Sequence, residues 1–163
     1  MAALTNYAEN KLIDWLFRAQ APGFAGASAT AASGPATLYI GLFTTNPSDD
    51  AGTGAVEVSG NAYARVAVTS SMAATGWAGT QSAASTTAST GTNGTTSNNG
   101  VITFPTPTPS GWGTVVGMGI FDTLAGSFAS SCVIYAPLTT SKTINAGDSV
   151  TFPAASLTFQ IDN

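Results

Sequence analysis

The sequence predicts a mainly β fold, an antiparallel jelly-roll-like β-sandwich preceded by one N-terminal α-helix. Three observations carry this. Short runs of β-branched and aromatic residues recur after residue 36, Gly- and Asn-rich turns separate them, and helical periodicity is convincing only near the N-terminus. The 163 residues suit one domain, since a chain of about 150 residues hides roughly 68–70% of its unfolded surface. We expect a single domain over 1–163, with a helix and arm at 1–36 and the sandwich at 37–163.

The helix is TNYAENKLIDWLFR, residues 5–18. Asn6 is placed to cap it, with Glu9 three residues later reaching back, and Arg18 lies near the negative end of the helix dipole. Leu12 with Leu16 and Ile13 with Phe17 form an apolar stripe at i, i+4, which Trp15 widens. Such a helix packs on the sheets of its own chain or docks on a neighbouring subunit. The segment 21–36, APGFAGASATAASGPA, holds neither helix nor strand for long and reads as an adaptable connection.

TLYIGLFTT, residues 37–45, is the strand around which we expect the others to assemble. Leu38, Ile40 and Leu42 fall on one face, Tyr39 and Phe43 on the other, so both faces are apolar. Gly41 within it implies the close approach of a backbone or a large ring. The loop at 46–55 carries Asp49 and Asp50 without the ligand spacing of a calcium loop and reads as a solvated tip. Strands are then predicted in AYARVAVT (62–69), after a turn at Gly60 and Asn61, and in VITF (101–104).

Between them, residues 70–100 have the composition of a disordered linker. Their threonines nevertheless suit β-structure, and so few large apolar groups are most easily ordered against another chain. PTPTPSG, 105–111, is a rigid extended spacer. WGTVVGMGIFD, 112–122, is a second strand apolar on both faces, its glycines again implying close approach. SCVIYAPL (131–138), KTINAGDSVTF (142–152) and SLTFQID (156–162) complete the series.

Composition excludes more than it assigns. Only 7% of residues are charged and there is no histidine, against about 25% charged in ordinary domains. Histidine-based catalytic triads and zinc sites are therefore absent. Glu57, Asp122 and Asp148 are the available carboxylates for a glycosidase-like pair, but no motif joins them. Cys132 reads as a small apolar residue in a strand; a reactive thiol wants a nearby histidine or cationic group, and there is no histidine to offer. Lys11, Arg18, Arg65 and Lys142 are scattered, so no basic stripe exists for a nucleic acid, and no apolar run reaches the roughly 20 residues of a membrane span. No secretory signal is read at the N-terminus. We expect no enzyme, no cofactor, no metal, no nucleic acid and no membrane.

LTNYAENKLIDWLFRAQ, LYIGLFTTNPSD with GNAYARVAV, ITFPTPTPSGWGTVVGMGIFD and LTTSKTINAGDSVTFPAASLTF together resemble a family of small tailed-bacteriophage virion proteins, often tail-fibre-like. Jelly-roll relatives of that kind serve as capsid cement or decoration proteins. The resemblance covers nearly all of the chain except 21–36 and the Thr-rich tract. It implies a non-enzymatic structural protein, assembled in the host cytoplasm, that sits on the capsid surface as a homotrimer and bridges neighbouring major capsid proteins. A tail-fibre or receptor-binding component is the alternative. The interface residues we expect are Tyr7, Trp15 and Phe17 of the helix, with Trp77 and Trp112.

Overall fold

The computed structural model describes residues 4–21, 33–48 and 54–161. It is mainly β and antiparallel. In chain order the elements are α1 (Asn6–Arg18), β1 (Thr37–Thr45), β2 (Val56–Glu57), β3 (Val66–Thr69), β4 (Thr95–Ser97), β5 (Ile102–Thr103), β6 (Gly113–Phe121), the one-turn α2 (Phe128–Ser131), β7 (Cys132–Ile144), β8 (Thr151–Phe152) and β9 (Thr158–Gln160). The main sheet runs β2-β1-β6-β7, with β3 also paired to β1, and two-stranded ladders join β4 to β9 and β5 to β8. The described residues group into two compact units. One comprises Met1–Ala36, Val68–Ile102 and Phe152–Asn163, the other Thr37–Ala67 and Thr103–Thr151. Most of the connection at 21–36, and Asp49 and Asp50, lie outside the described residues.

In the second unit β1 is the central strand the alternation predicts, and both its faces are buried. Leu38, Ile40 and Phe43 are wholly inaccessible and Leu42 nearly so. Gly41 lies opposite Gly119 of β6, Tyr39 opposite Phe121, and Phe43 opposite Gly117. The two strands exchange rings across this register. A Cβ on Gly41 would stand 2.7 Å from Phe121 Cε2, and one on Gly119 would stand 2.9 Å from Phe43 Cε2. Each glycine thus leaves the space that a phenylalanine of the opposite strand occupies, which is why the sequence interrupts two otherwise apolar strands with glycine. The rings meet each other at 6.1 Å between centroids.

Three strand expectations change. Strand β3 starts at Val66 rather than near Ala62, because Asn61 and Ala62 both adopt positive φ and prolong the turn. Thr151–Phe152 stands apart as β8, while the run at 131–138 and the first three residues of the run at 142–152 form one 13-residue strand, β7. Its pairing with β6 passes from Gly117↔Pro137 to Val115↔Lys142, so Val116 alone faces residues 138–141 across a wide bulge. A short helical turn, α2, precedes β7 where no element is predicted.

In the first unit, α1 begins one residue earlier than its predicted cap. Thr5, in extended conformation, is the N-cap, and its Oγ1 accepts from the Ala8 amide at 3.4 Å. Asn6 is already helical, so Glu9 is not the partner of the cap and is buried instead. The buried face is Glu9, Ile13 and Phe17 together with Asp14 and Arg18, while Leu12 and Leu16 are only half-buried. Phe17 packs edge-on to Trp77 at 4.9 Å and stacks on Phe159 at 5.4 Å. These three rings are the apolar centre of the unit.

Beside this apolar face, residues 10, 14 and 18 make a polar stripe that grips the Thr-rich tract. Asn10 donates to the Gly91 carbonyl at 3.0 Å and accepts from Thr80 Oγ1 at 2.5 Å. Asp14 accepts from the Ser89 amide at 2.9 Å and from Ser89 Oγ at 2.5 Å. Arg18, with no exposed surface, donates to Asp14 Oδ1 at 2.6 Å, to Ser89 Oγ at 3.2 Å, and to the carbonyls of Thr87 at 2.6 Å and Trp77 at 3.1 Å. The tract therefore finds ordering contacts within its own chain, on α1.

Gly41→Ala forces a methyl against Phe121, Glu57 and Tyr63 and should destabilise the protein by about 1–3 kcal/mol in chemical denaturation, the usual cost of overpacking. An unchanged midpoint would show that the rings move aside freely. Asp14→Ala strands the buried Arg18 charge and should cost about 3–5 kcal/mol. It should also speed amide exchange selectively across residues 79–91; uniform exchange would mean that the tract is held by something other than the helix.

Candidate functional site

Among the described residues, Glu57, Tyr63 and Arg65 of the second unit form a tight cluster of ionisable groups. Glu57, on β2, and Arg65, just before β3, face each other across the turn at Gly60 and Asn61. Arg65 Nε donates to Glu57 Oε1 at 2.9 Å and Nη2 to Oε2 at 2.8 Å, a fork-to-fork pair. Tyr63 donates its hydroxyl proton to Glu57 Oε1 at 2.9 Å and accepts from the Leu42 amide of β1 at 2.8 Å. The remaining Arg65 donors hold the carbonyls of Thr123 and Gly126 at 3.0 and 2.9 Å. Its guanidinium carbon lies 3.4 Å from the centroid of the Phe121 ring, the same ring that Gly41 admits. One cation thereby ties β2, the end of β6 and the following loop together, by charge, by hydrogen bonds and by stacking.

Electrostatics here favour the states the contacts need. Burial pushes the Tyr63 hydroxyl well above its usual range, and the neighbouring Glu57 charge adds to this. Burial opposes the Arg65 charge, but the hydrogen bonds and charge of Glu57 outweigh it and raise Arg65 further. Cys132, opposite Phe121 on β7, donates its thiol to the Ile134 carbonyl, and burial pushes it up to about 11. The thiol is therefore protonated at neutral pH, in keeping with a small apolar strand residue.

The three carboxylates considered for a catalytic pair have separate roles. Both oxygens of Glu57 are taken by Arg65, Asp148 Oδ2 accepts from the Asn145 amide at 2.7 Å within a turn, and Asp122 is exposed after β6. Among the described residues no three His, Cys, Asp or Glu gather as a metal site would need, and no helix is long and apolar enough to cross a membrane.

The residues expected at an interface divide sharply. Phe17 and Trp77 are fully buried in the ring cluster of the first unit. Trp112 is buried in the second, edge-on to Tyr63 and Phe104, with its indole N–H given to the Asn61 carbonyl at 3.0 Å. These rings hold the chain together and leave little to present. Trp15 is half-buried, whereas Tyr7 is 52% exposed with the Lys11 ammonium over its ring. Sequence reasoning missed the two ion pairs seen among the described residues. Asp14 and Arg18 at i, i+4 were a legible signal; Glu57 and Arg65, flanking a Gly-Asn turn, were a weaker one.

The alkaline behaviour of the cluster is a direct test. Cys132 and Tyr63 both bind their protons more tightly when folded, so their contribution is fully present below the ordinary thiol value of 9.0 and is lost as pH rises toward about 11 and beyond. Urea midpoints should fall across that window, and Cys132→Ala should flatten part of the decline. A rise in stability there would contradict the geometry.

No curated protein sequence matches the chain. The family model described as podophage GP4 fiber I protein gp80 matches it over residues 3–160. That match spans almost the whole sequence and every described helix and strand, and it agrees with the tail-fibre-like resemblance carried by the sequence motifs. The chain belongs to this family of tailed-bacteriophage virion proteins.

Proposed function

We propose that the protein is a non-enzymatic structural component of the virion, working in the fibre apparatus by burying surface against copies of itself and neighbouring virion proteins. The family match supports the fibre setting. The observation that carries the mechanism is the inward use of charge. Of four basic residues, Arg18 and Arg65 are both spent in ion pairs inside their own units. The positive charges left to the surface are Lys11 and Lys142. A face made largely of hydroxyl, amide and backbone groups can be covered by another protein without desolvating charge, which is costly when pairing is imperfect. Compact units without a repeating strand period suit a fibre's base or tip rather than its shaft, which is built from repeats.

A second reading rests on the same surface. As a capsid cement or decoration protein, a homotrimer at capsomer junctions would bridge major capsid proteins on the capsid surface, with the antiparallel sheets as the halves of a jelly roll. Both readings need no cofactor and no nucleic acid. Cryo-electron microscopy of purified particles distinguishes them by where density for this chain lies. Density at the fibres supports the first; trimers spread over the head replace it with the second. Absence of the chain from mature particles would sink both.

A further inference from the structure

We propose that Asn93 and Gly94 form a self-modifying site at which the Asn93 side chain cyclises onto the Gly94 amide and is converted to aspartate and isoaspartate. This inference does not depend on the virion role. The chain has two Asn-Gly pairs among its described residues, at 93–94 and 99–100, and the structure treats them oppositely. Asn99 donates its amide to the Ala73 carbonyl at 3.1 Å and the Ser85 carbonyl at 3.4 Å, and its backbone N–H to Gly76, which fixes the side chain away from its own backbone. The Asn93 side chain is exposed, and its amide nitrogen has no hydrogen-bond acceptor among the described residues.

The hydrogen bonds around Asn93 fall on the oxygens that gain negative charge during cyclisation. When the Gly94 amide loses its proton to water or hydroxide, charge moves to the Asn93 backbone oxygen. That oxygen accepts from Thr95 Oγ1 at 2.9 Å and Gln160 Nε2 at 3.3 Å. When the Gly94 nitrogen attacks Asn93 Cγ, charge moves to Oδ1, which accepts from Thr92 Oγ1 at 3.3 Å. Fixed donors aimed at developing oxyanions are the usual means of lowering such barriers. Gly94 adopts positive φ and has no Cβ to obstruct the ring that forms.

The balance is simple. The new bond joins Gly94 N to Asn93 Cγ, the bond from Cγ to Nδ2 breaks, and the side-chain nitrogen leaves as ammonia. Water then opens the five-membered imide at either carbonyl, giving aspartate or its backbone-extended isomer. No oxidant or reductant is involved. The product places a negative charge in the interval 66–121, which has no charged residue. The isomer also adds one carbon to the backbone just before β4, where Thr95 pairs with Gln160 of β9.

The test is peptide mapping by mass spectrometry, with an isoaspartate assay, on the full-length protein aged in warm, mildly alkaline buffer, folded or unfolded in urea. Asn93 should convert at least as fast in the folded protein as in the unfolded chain, while folding protects Asn99. Thr95→Val and Thr92→Val should each slow conversion at Asn93 severalfold and leave Asn99 unchanged, and Asn93→Gln should abolish the modified peptide. Protection of Asn93 by folding, conversion at Asn99 to the same extent, or conversion at the unmutated rate in both threonine variants would overturn the proposal.

Discussion

A guanidinium with no access to water must find all its partners inside the protein, and Arg18 is in that position. Its demand is met by one carboxylate on its own helix and by acceptors from residues 77, 87 and 89. Those acceptors come from a stretch whose composition gives it little apolar surface with which to fold. The charge therefore exacts a specific path from a segment that hydrophobic burial alone would leave undetermined. The cost of burying the ion is offset only if every partner is in place, and this makes the arrangement all-or-none.

One face over on the same helix, Phe17 packs into the rings of Trp77 and Phe159. Apolar packing locates α1 and the polar stripe then orders what lies along it. The second unit repeats the division of labour with different parts. The Gly41 and Gly119 exchange lets two phenylalanines cross between β1 and β6, and Arg65 stacks on one of those rings while holding three segments of backbone. In each unit a single arginine converts a small aromatic core into a unique arrangement.

Much of the fold was legible in the sequence, for identifiable reasons. The bounds of β1 follow from its period-two alternation, and the need for close approach at Gly41 follows from a glycine placed where any side chain would otherwise be buried. The start of α1 was displaced by one residue because Thr5 and Asn6 are both capping residue types, and the local pattern alone does not choose between them. The order of residues 70–100 was not legible, since it depends on contacts between positions some 70 residues apart, such as Asn10 with Thr80. The same limit applies to the aromatic residues expected at an interface. A tryptophan looks alike in sequence whether it fills a core or a contact, and Trp77 and Trp112 fill cores. The family, by contrast, was legible because its motifs are the strands and turns themselves.

The wide bulge in β7 bears on how such a protein stays dispersed. Strand β7 closes one side of the main sheet, and an uninterrupted thirteen-residue margin would offer a long template for sheet-to-sheet aggregation. With a net charge of only −4, mutual repulsion does little to prevent it. Pro137 removes one donor, residues 138–141 break the spacing of the next several, and Lys142 follows at once. Colloidal stability at the high concentrations at which structural proteins accumulate would thus rest on backbone irregularity rather than on charge.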